Sequence, residues 1–219
     1  MHTFIGLDGY PGGHVAVYLE KTRQRFHYAA NADRLLDVPH ERAMIDIPIG
    51  LPQRGYRDCD RAAKQIVGSS AFLGARSNVW LFEEYDDANA HYWKEKDTGI
   101  SLQLWHLKDK LREINVMITP AMQERLQECH PELVFWRLNG KQPLPSKKTP
   151  RGCLLRIKLL KEHGVFRIEE WLAQRYGTGI RCDDLIDACA CAIAARDSQF
   201  RLPPHNPPSE QGIRMEIWY

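Results

Sequence analysis

Two apolar stretches that each end in an aspartate constrain the fold of this chain most strongly. Asp8 closes "TFIGLD" before a glycine-rich turn, and Asp46 closes "RAMID" before Ile47-Pro48. An apolar strand that follows a helical segment is typical of a buried strand parallel to the first. Neighbouring parallel strands end at the same edge of a sheet, where open α/β sheets bind their ligands. We therefore expect both acids at one site.

The surrounding pattern predicts an α/β fold. "TFIGLD", "HVAVYLE" and "RFHYAA" are typical of three strands of an antiparallel meander. "ADRLLDV" predicts a short helix, and "LQECHPELVFWRL" a return to strand. Thr149-Pro150 indicates an N-cap and first turn for a helix that closes at Gly164. Two more helices are predicted over 167–177 and 183–200, then a proline-rich tail with "IRMEIWY" as a late strand.

Residues 57–127 have a different character, and we predict that they form a helical insertion within a single domain of 219 residues. Polar helices are predicted over 57–68 and 85–96. The stretch 101–118 predicts one amphipathic helix, because its apolar residues recur at steps of three and four. Those residues are Leu104, Leu107, Leu111, Ile114 and Ile118.

The last predicted helix carries a second pair of acids. Asp184 and Asp187 are three residues apart and share a helix face with Cys191. If that face packs on the sheet, these acids join Asp8 and Asp46. Converging carboxylates in a partly dry site need cations, and oxygen-only ligands favour Mg²⁺ or Mn²⁺. Two such ions about 4 Å apart would serve phosphodiester hydrolysis, so the chemistry indicates a two-metal nuclease.

Each acid also has a structural interpretation. Asp8 is equally consistent with a carboxylate that accepts backbone N–H groups in its glycine turn, and Asp46 with a cap on the next turn. The pair Asp184 and Asp187 is what a helix N-terminus favours as N-cap and N3 acids. The metal hypothesis depends on the three motifs occurring in this order.

Several motifs together resemble a family of predicted RNase H-like nucleases, the domain of unknown function 429. They are "GLDGYPGGHVAV", "IDIPIGLP" followed by "RDCDRAAK", "GISLQLWHLKDKLREIN", "ECHPELVFWRLNGKQPL", "SKKTPRG" and "DDLIDACACAIAARDSQF". The resemblance covers nearly the whole chain. It implies a mixed five-stranded sheet of three antiparallel and then parallel strands, with helices on both faces and acids at one edge.

The resemblance also implies roles for particular residues. Asp8 matches the acid of the first strand and Asp46 the acid that ends the fourth, whereas Asp184 and Asp187 match the pair that opens the final helix. Together with Glu128 of "ECHPE", which would add a carboxylate or orient a water, they form the implied catalytic set, with His130 as a nearby donor. Glu128 and Glu132 are equally consistent with solvent-facing acids or with partners of arginines.

A basic stretch predicts contact with nucleic acid. Residues 141–161 contain seven lysines and arginines and no acid. For Lys147, Lys148 and Arg151, which precede or open a helix, we predict phosphate contacts. For Arg156, Lys158 and Lys161 we favour a solvated helix face.

The composition of the chain excludes few classes of protein and indicates its cellular location only in broad terms. The net charge of +2 and six cysteines without a CxxC pair indicate neither a strongly basic protein nor a disulfide framework. We expect buried reduced thiols, a cytoplasmic location without signal peptide or membrane contact, and nucleic acid as partner, and we allow for a homodimer.

Two other functions remain open at this point. A non-catalytic RNase H-like module that binds nucleic acid or protein would use the acids as caps. An ATP-dependent phosphotransferase of the actin or sugar-kinase type also begins with a strand that ends in aspartate before a glycine turn. The second is disfavoured because the chain has one set of motifs and no second glycine-rich phosphate turn.

Overall fold

The computed structural model describes residues 2–94 and 99–219. Their contacts divide the chain into two units. The sheet unit comprises the chain up to Asp46 together with Arg125–Phe200 and Trp218–Tyr219, and the helical unit comprises Ile47–Glu124 and Arg201–Ile217. The prediction of one domain with an insertion over 57–127 stays a prediction.

Strands and helices are numbered along the chain. The strands are β1 Phe4–Tyr10, β2 Gly13–Leu19, β3 Gln24–Ala29, β4 Arg42–Ile45, β5 Leu126–Glu128, β6 Arg201–Leu202, β7 Ser209–Glu210, β8 Ile213–Arg214 and β9 Ile217–Trp218. The α-helices are α1 Ala32–Leu36, α2 Asp58–Val67, α3 Tyr85–Lys94, α4 Leu102–Trp105, α5 Lys108–Met117, α6 Pro120–Gln123, α7 Pro131–Leu138, α8 Pro150–Glu162, α9 Ile168–Gln174 and α10 Cys182–Asp197. Short 3₁₀ turns occupy Gly68–Ser70 and Val79–Leu81.

The sheet unit contains a mixed five-stranded sheet in the order β3-β2-β1-β4-β5. The first three strands pair antiparallel, and β4 runs parallel to both β1 and β5. The predicted mixed α/β architecture is therefore confirmed. The last residue of β4, Ile45, lies opposite Leu7 of β1, so the aspartates that follow these two residues, Asp46 and Asp8, emerge at the same edge.

Helix α10 lies unusually close to the central strand β1. A Cβ atom added to Gly6 would lie 2.0 Å from the backbone nitrogen of Ala192 and 2.2 Å from the carbonyl oxygen of Ala188. Only glycine fits there, and the small residues of α10 allow the matching approach from the other side. Because Asp187 precedes Ala188 and Asp8 lies two residues after Gly6, this packing fixes the helix acid near the strand acid.

Three predicted elements of the sequence differ from the structure, and one of them is the late strand over 213–219, which is divided into β8 and β9. The expected strand over 126–138 is limited to β5, because His130 caps a helix whose first residue is Pro131, and the apolar run that follows is α7. The expected single helix over 101–118 is divided into α4 and α5, because the amide of Leu107 bonds to the carbonyl of Leu104, one residue short of the α-helical spacing.

The helical unit confirms two polar helices, α2 and α3. The last two residues of the helix predicted over 85–96 lie outside the described residues. Asn115 of α5 fixes the segment after Asp46, since its amide nitrogen donates to the Pro48 carbonyl (2.8 Å) and its oxygen accepts from the Gly50 amide (3.0 Å). Among the helices in the described ranges, none has the length and apolar character required to cross a bilayer.

Candidate functional site

The two strand acids lie side by side at the carboxyl edge of the sheet. Leu7 pairs with Ile45 in the parallel register, and the amide of Asp46 donates to the Leu7 carbonyl at 3.1 Å. Side chains alternate along a strand, so Asp8 points to the same face as Gly6, the face that α10 covers. The same alternation places Asp46 with Met44, which belongs to the core cluster around α10. The predicted convergence of Asp8 and Asp46 thus has a geometric basis.

The electrostatics of these acids indicate mutual repulsion in a dry setting. Burial raises the pKa of Asp8 well above its ordinary value, and the charges of Asp46, Asp187 and Asp184 raise it further. Burial likewise raises the pKa of Asp46 to about 7, opposed by the charge of Lys147. A pKa raised in this way means that the ionised form of the carboxylate is unfavourable at this position unless a cation lies beside it.

Asp187 brings the first turns of α10 into this cluster. The residue is 2% exposed, and its Oδ2 accepts a hydrogen bond from the Lys147 ammonium at 2.5 Å. Its Oδ1 is buried and has no hydrogen-bond partner among the described residues. Burial raises the pKa of Asp187 to about 7, although the Lys147 charge opposes the shift. A buried carboxylate oxygen without a partner is costly, so it indicates a position prepared for a ligand.

Asp8 also makes the turn contact that the structural interpretation requires, whereas the expected capping register is wrong, because Arg181 is the N-cap of α10, Asp184 is its N3 residue and Asp187 lies three residues further on. Asp184 Oδ2 accepts from the backbone amide of Arg181, the N-cap residue of α10, at 2.8 Å, and Asp184 Oδ1 accepts from the Arg181 guanidinium at 3.3 Å. Asp8 accepts from the amide of Gly9 at 2.7 Å. The two contacts with Arg181 therefore engage both oxygens of Asp184, whereas the Gly9 contact engages one oxygen of Asp8.

Lys147 lies inside the cluster of acids. Burial lowers the pKa of its ammonium, but the attraction of Asp187, Asp46 and Asp8 outweighs burial and raises that pKa overall. Its side chain keeps 35% of its surface exposed. Sequence reasoning assigned this lysine to phosphate and missed its contact with the acids. No local signal indicates that contact, because Lys147 and Asp187 are 40 residues apart along the chain.

Glu128 is buried on β5, but its register separates it from the strand acids. It pairs with Ile45, so by alternation its side chain lies on the opposite face from Asp46. His130 accepts from the amide of Glu132 as the N-cap of α7. The charge of Glu132 raises the pKa of both Asp46 and Asp187, so it is Glu132 that approaches the cluster.

Arg156 corrects the expectation of a solvated face. The guanidinium is 2% exposed and holds Glu132 through two hydrogen bonds, at 3.1 and 2.6 Å. It also donates to the carbonyls of Pro145 and Gly152. Lys158 and Lys161 do lie on the exposed side of α8, as predicted.

A pocket of about 160 Å³ opens beside Asp187. Its wall is formed by residues of the loop before α8, of α8 and of α10: Lys147, Lys148, Cys153, Arg156, Cys182, Asp183, Ile186 and Asp187. The sulfur atoms of Cys153 and Cys182 are 3.8 Å apart and both residues are half-buried, so the expectation of buried thiols holds for the other four cysteines only. The pocket combines cations with the edge of the acid cluster. Arg151, in contrast, is exposed at the start of α8.

The donor set fits a hard divalent cation by its chemistry. Carboxylate oxygens are the ligands that Mg²⁺ and Mn²⁺ prefer, and Asp187 Oδ1 is the orphaned atom that such an ion would satisfy. Within the described ranges, no three or more His, Cys, Asp or Glu side chains stand in a ready metal-binding group. Lys147 already holds one of the oxygens. The cluster therefore has the ligand type and the surplus negative charge for a cation.

Fold and site together define a mixed α/β protein with a buried carboxylate cluster at the edge of its sheet. The family described as "Protein of unknown function (DUF429)" matches residues 6–207 of the chain, so the chain belongs to this family. No curated protein and no solved structure matches the chain.

Proposed function

We propose that this protein is a Mg²⁺- or Mn²⁺-dependent nuclease with an RNase H-like fold. The order β3-β2-β1-β4-β5, with antiparallel strands first, supports the fold assignment. The function rests on one observation above all: acids from β1, from the end of β4 and from α10 meet where α10 packs on Gly6, and one of their buried oxygens, Asp187 Oδ1, has no hydrogen-bond partner among the described residues. The family match is compatible with this proposal and adds no activity to it.

Three acids are the proposed ligands, namely Asp8, Asp46 and Asp187. A divalent cation held there would supply positive charge to the scissile phosphate and lower the pKa of a water. Asp184 joins this set only if its capping contacts with Arg181 open. Glu128 stays a prediction from resemblance.

The nucleic acid would approach from the side of the pocket. Lys148 and the exposed Arg151 precede and open α8, where both can contact phosphate groups. Phosphate contacts of this kind confer affinity without sequence preference, so the proposal names phosphodiesters of DNA or RNA as a class. Of these two cations, Lys148 lines the pocket.

A second function, a non-catalytic nucleic-acid-binding module, is favoured by two contacts. Asp184 uses one oxygen for the backbone amide of Arg181 and the other for the Arg181 guanidinium, and Lys147 already pairs with Asp187. In that case the cluster is a structural ion group. Addition of Mn²⁺ distinguishes the two, because a ligand that binds only the folded protein raises its melting temperature. A module without a cation site shows no Mn²⁺-dependent rise.

Cleavage of labelled DNA and RNA in Mn²⁺ tests the nuclease directly. We expect the wild-type protein to cut at least one substrate and the variants Asp8→Asn and Asp187→Asn to lose about 100-fold or more of that rate. Asp197→Asn, at the other end of α10 and paired with Arg196, is the matched control and should cut normally. Equal cleavage by all four proteins would show a contaminant and remove the proposed site.

A further inference from the structure

The ammonium of Lys147 lies among the acids of the cluster, in the position that a bound cation would take. It lies 2.5 Å from Asp187 Oδ2, and the charges of Asp46 and Asp8 also stabilise it. Lysine carries a compact point charge on a flexible stem, which makes its ammonium a natural replacement for a bound ion. The buried Oδ1 of the same carboxylate is left for another ligand.

The other acids near the cluster are already balanced by arginines. Arg181 binds Asp184 through its guanidinium and its backbone amide. Arg156 binds Glu132 with two parallel hydrogen bonds, the geometry in which guanidinium and carboxylate pair most strongly. These two pairs add no surplus charge to the site.

The remaining charges do not balance. Asp8, Asp46 and Asp187 face the single positive charge of Lys147 when all three are ionised. The surplus of two negative charges matches one divalent cation. Two divalent ions would exceed it, and both would compete with the ammonium for Asp187.

We infer that the site binds one divalent cation and that Lys147 takes the place of a second. The inference rests on the proposed function and refines the expected two-metal arrangement. Asp187 holds the ammonium with Oδ2, and its Oδ1 would be left to hold the metal ion. With 35% of its side chain exposed at the mouth of the pocket, Lys147 can also offer its remaining N–H groups to a phosphate oxygen.

The number of Mn²⁺ ions bound per chain, measured from the EPR signal of free Mn²⁺ during titration, tests the inference. We expect one ion in the wild-type protein and in Lys148→Met, and two ions in Lys147→Met. Two ions in the wild-type protein, or one ion in Lys147→Met, would overturn the inference and leave the nuclease proposal standing. If neither the wild-type protein nor Lys147→Met binds Mn²⁺, the result contradicts the proposed function and, with it, the inference.

A second measurement without metal isolates the role of Lys147 as counter-ion. In EDTA, Lys147→Met should lower the melting temperature by about 2–6 °C, and the loss should shrink or vanish in an Asp187→Asn background. The side chain of Lys148 is exposed, so Lys148→Met should change the melting temperature little in either background. Equal losses from Lys147→Met with and without Asp187 would show that the ammonium is not the partner of this carboxylate and would also overturn the inference.

Discussion

Two buried groups of charged residues, one taken from each unit, are of opposite design. In the helical unit, Arg57 and Asp60 are 2% and 4% exposed, and each carboxylate oxygen accepts one guanidinium hydrogen bond, at 3.0 and 2.5 Å. The remaining guanidinium nitrogen donates to the Ile49 carbonyl. In the sheet unit, three acids share one ammonium and a buried oxygen has no partner among the described residues.

The difference separates a structural ion pair from a candidate site. A balanced pair with all its hydrogen bonds made holds α2 to the preceding segment and needs nothing else. An unbalanced cluster lowers the stability of the folded protein, because like charges are buried together, and persists where a ligand offsets that cost. Stability measurements should therefore respond in opposite directions when one acid is neutralised in each cluster.

The largest effect is expected from Asp60→Asn. Removing one partner of a buried ion pair leaves an uncompensated charge, so the variant should lose about 3–5 kcal/mol of unfolding free energy. Urea denaturation measures this loss. Asp58→Asn, an exposed acid in the first turn of the same helix, is the control. Equal stability of the two variants would contradict the structural role of the pair.

Asp8→Asn should increase the free energy of unfolding, the opposite of the effect of Asp60→Asn. Asparagine keeps an oxygen for the Gly9 amide but removes a charge that burial and neighbouring acids disfavour, so in EDTA the variant should gain on the order of 1–3 kcal/mol. Urea denaturation again measures it. Asp8→Ala loses the turn contact as well and should gain less. Destabilisation by Asp8→Asn would mean that the cluster is balanced after all.

The stability that the acid cluster of the sheet unit contributes should depend on pH. Burial raises the pKa of Asp46 and Asp187 to about 7 in the folded protein, whereas the ordinary value is 3.8. The folded state then retains protons that the unfolded state releases, so this stability is complete below the ordinary value and is lost as the pH rises toward 7.

Unfolding in EDTA at pH 5 and pH 8 measures that loss. Relative to Asp187→Asn, the wild-type protein should lose roughly 1–2 kcal/mol over this interval. Saturating Mn²⁺ should restore stability at pH 8, because it favours ionised ligands. A difference between the two proteins that does not change with pH would contradict the raised pKa values.

The smallest effect is expected from the surface cations. Lys148→Gln and Arg151→Gln should each weaken binding to single-stranded DNA or RNA a few-fold and reduce the slope of log affinity against log salt by about one. Fluorescence anisotropy in EDTA measures both. Lys158→Gln, whose residue pairs with Glu162 on the exposed face of α8, is the control. Indistinguishable slopes for all three variants would remove Lys148 and Arg151 from the nucleic-acid interface.

The sequence predicted the positions of the cluster better than its contacts. Asp8 and Asp46 could be placed because strand ends and apolar runs are local features. The expected strand over 126–138 was wrong in its second part, since His130-Pro131 is a helix start with the same apolar residues. The site also depends on Gly6, whose lack of a side chain admits α10, and nothing local indicates that contact.

Long-range partners were out of reach for the same reason. Lys147 and Asp187 are 40 residues apart, and Arg156 and Glu132 are 24 apart. Which of the basic residues over 141–161 faces acids and which faces solvent depends on how α7, α8 and α10 pack. A basic run is compatible with either outcome, so Arg156 was assigned to solvent and Lys147 to phosphate.

Diffraction from a crystal soaked in Mn²⁺, recorded at the manganese absorption edge, tests most directly whether the unbalanced cluster is a cation site. We expect one anomalous peak bonded to carboxylate oxygens of Asp8, Asp46 and Asp187, and no such peak in a crystal of Asp187→Asn treated in the same way. Saturating Mn²⁺ that leaves no peak among these three side chains would contradict a cation site there.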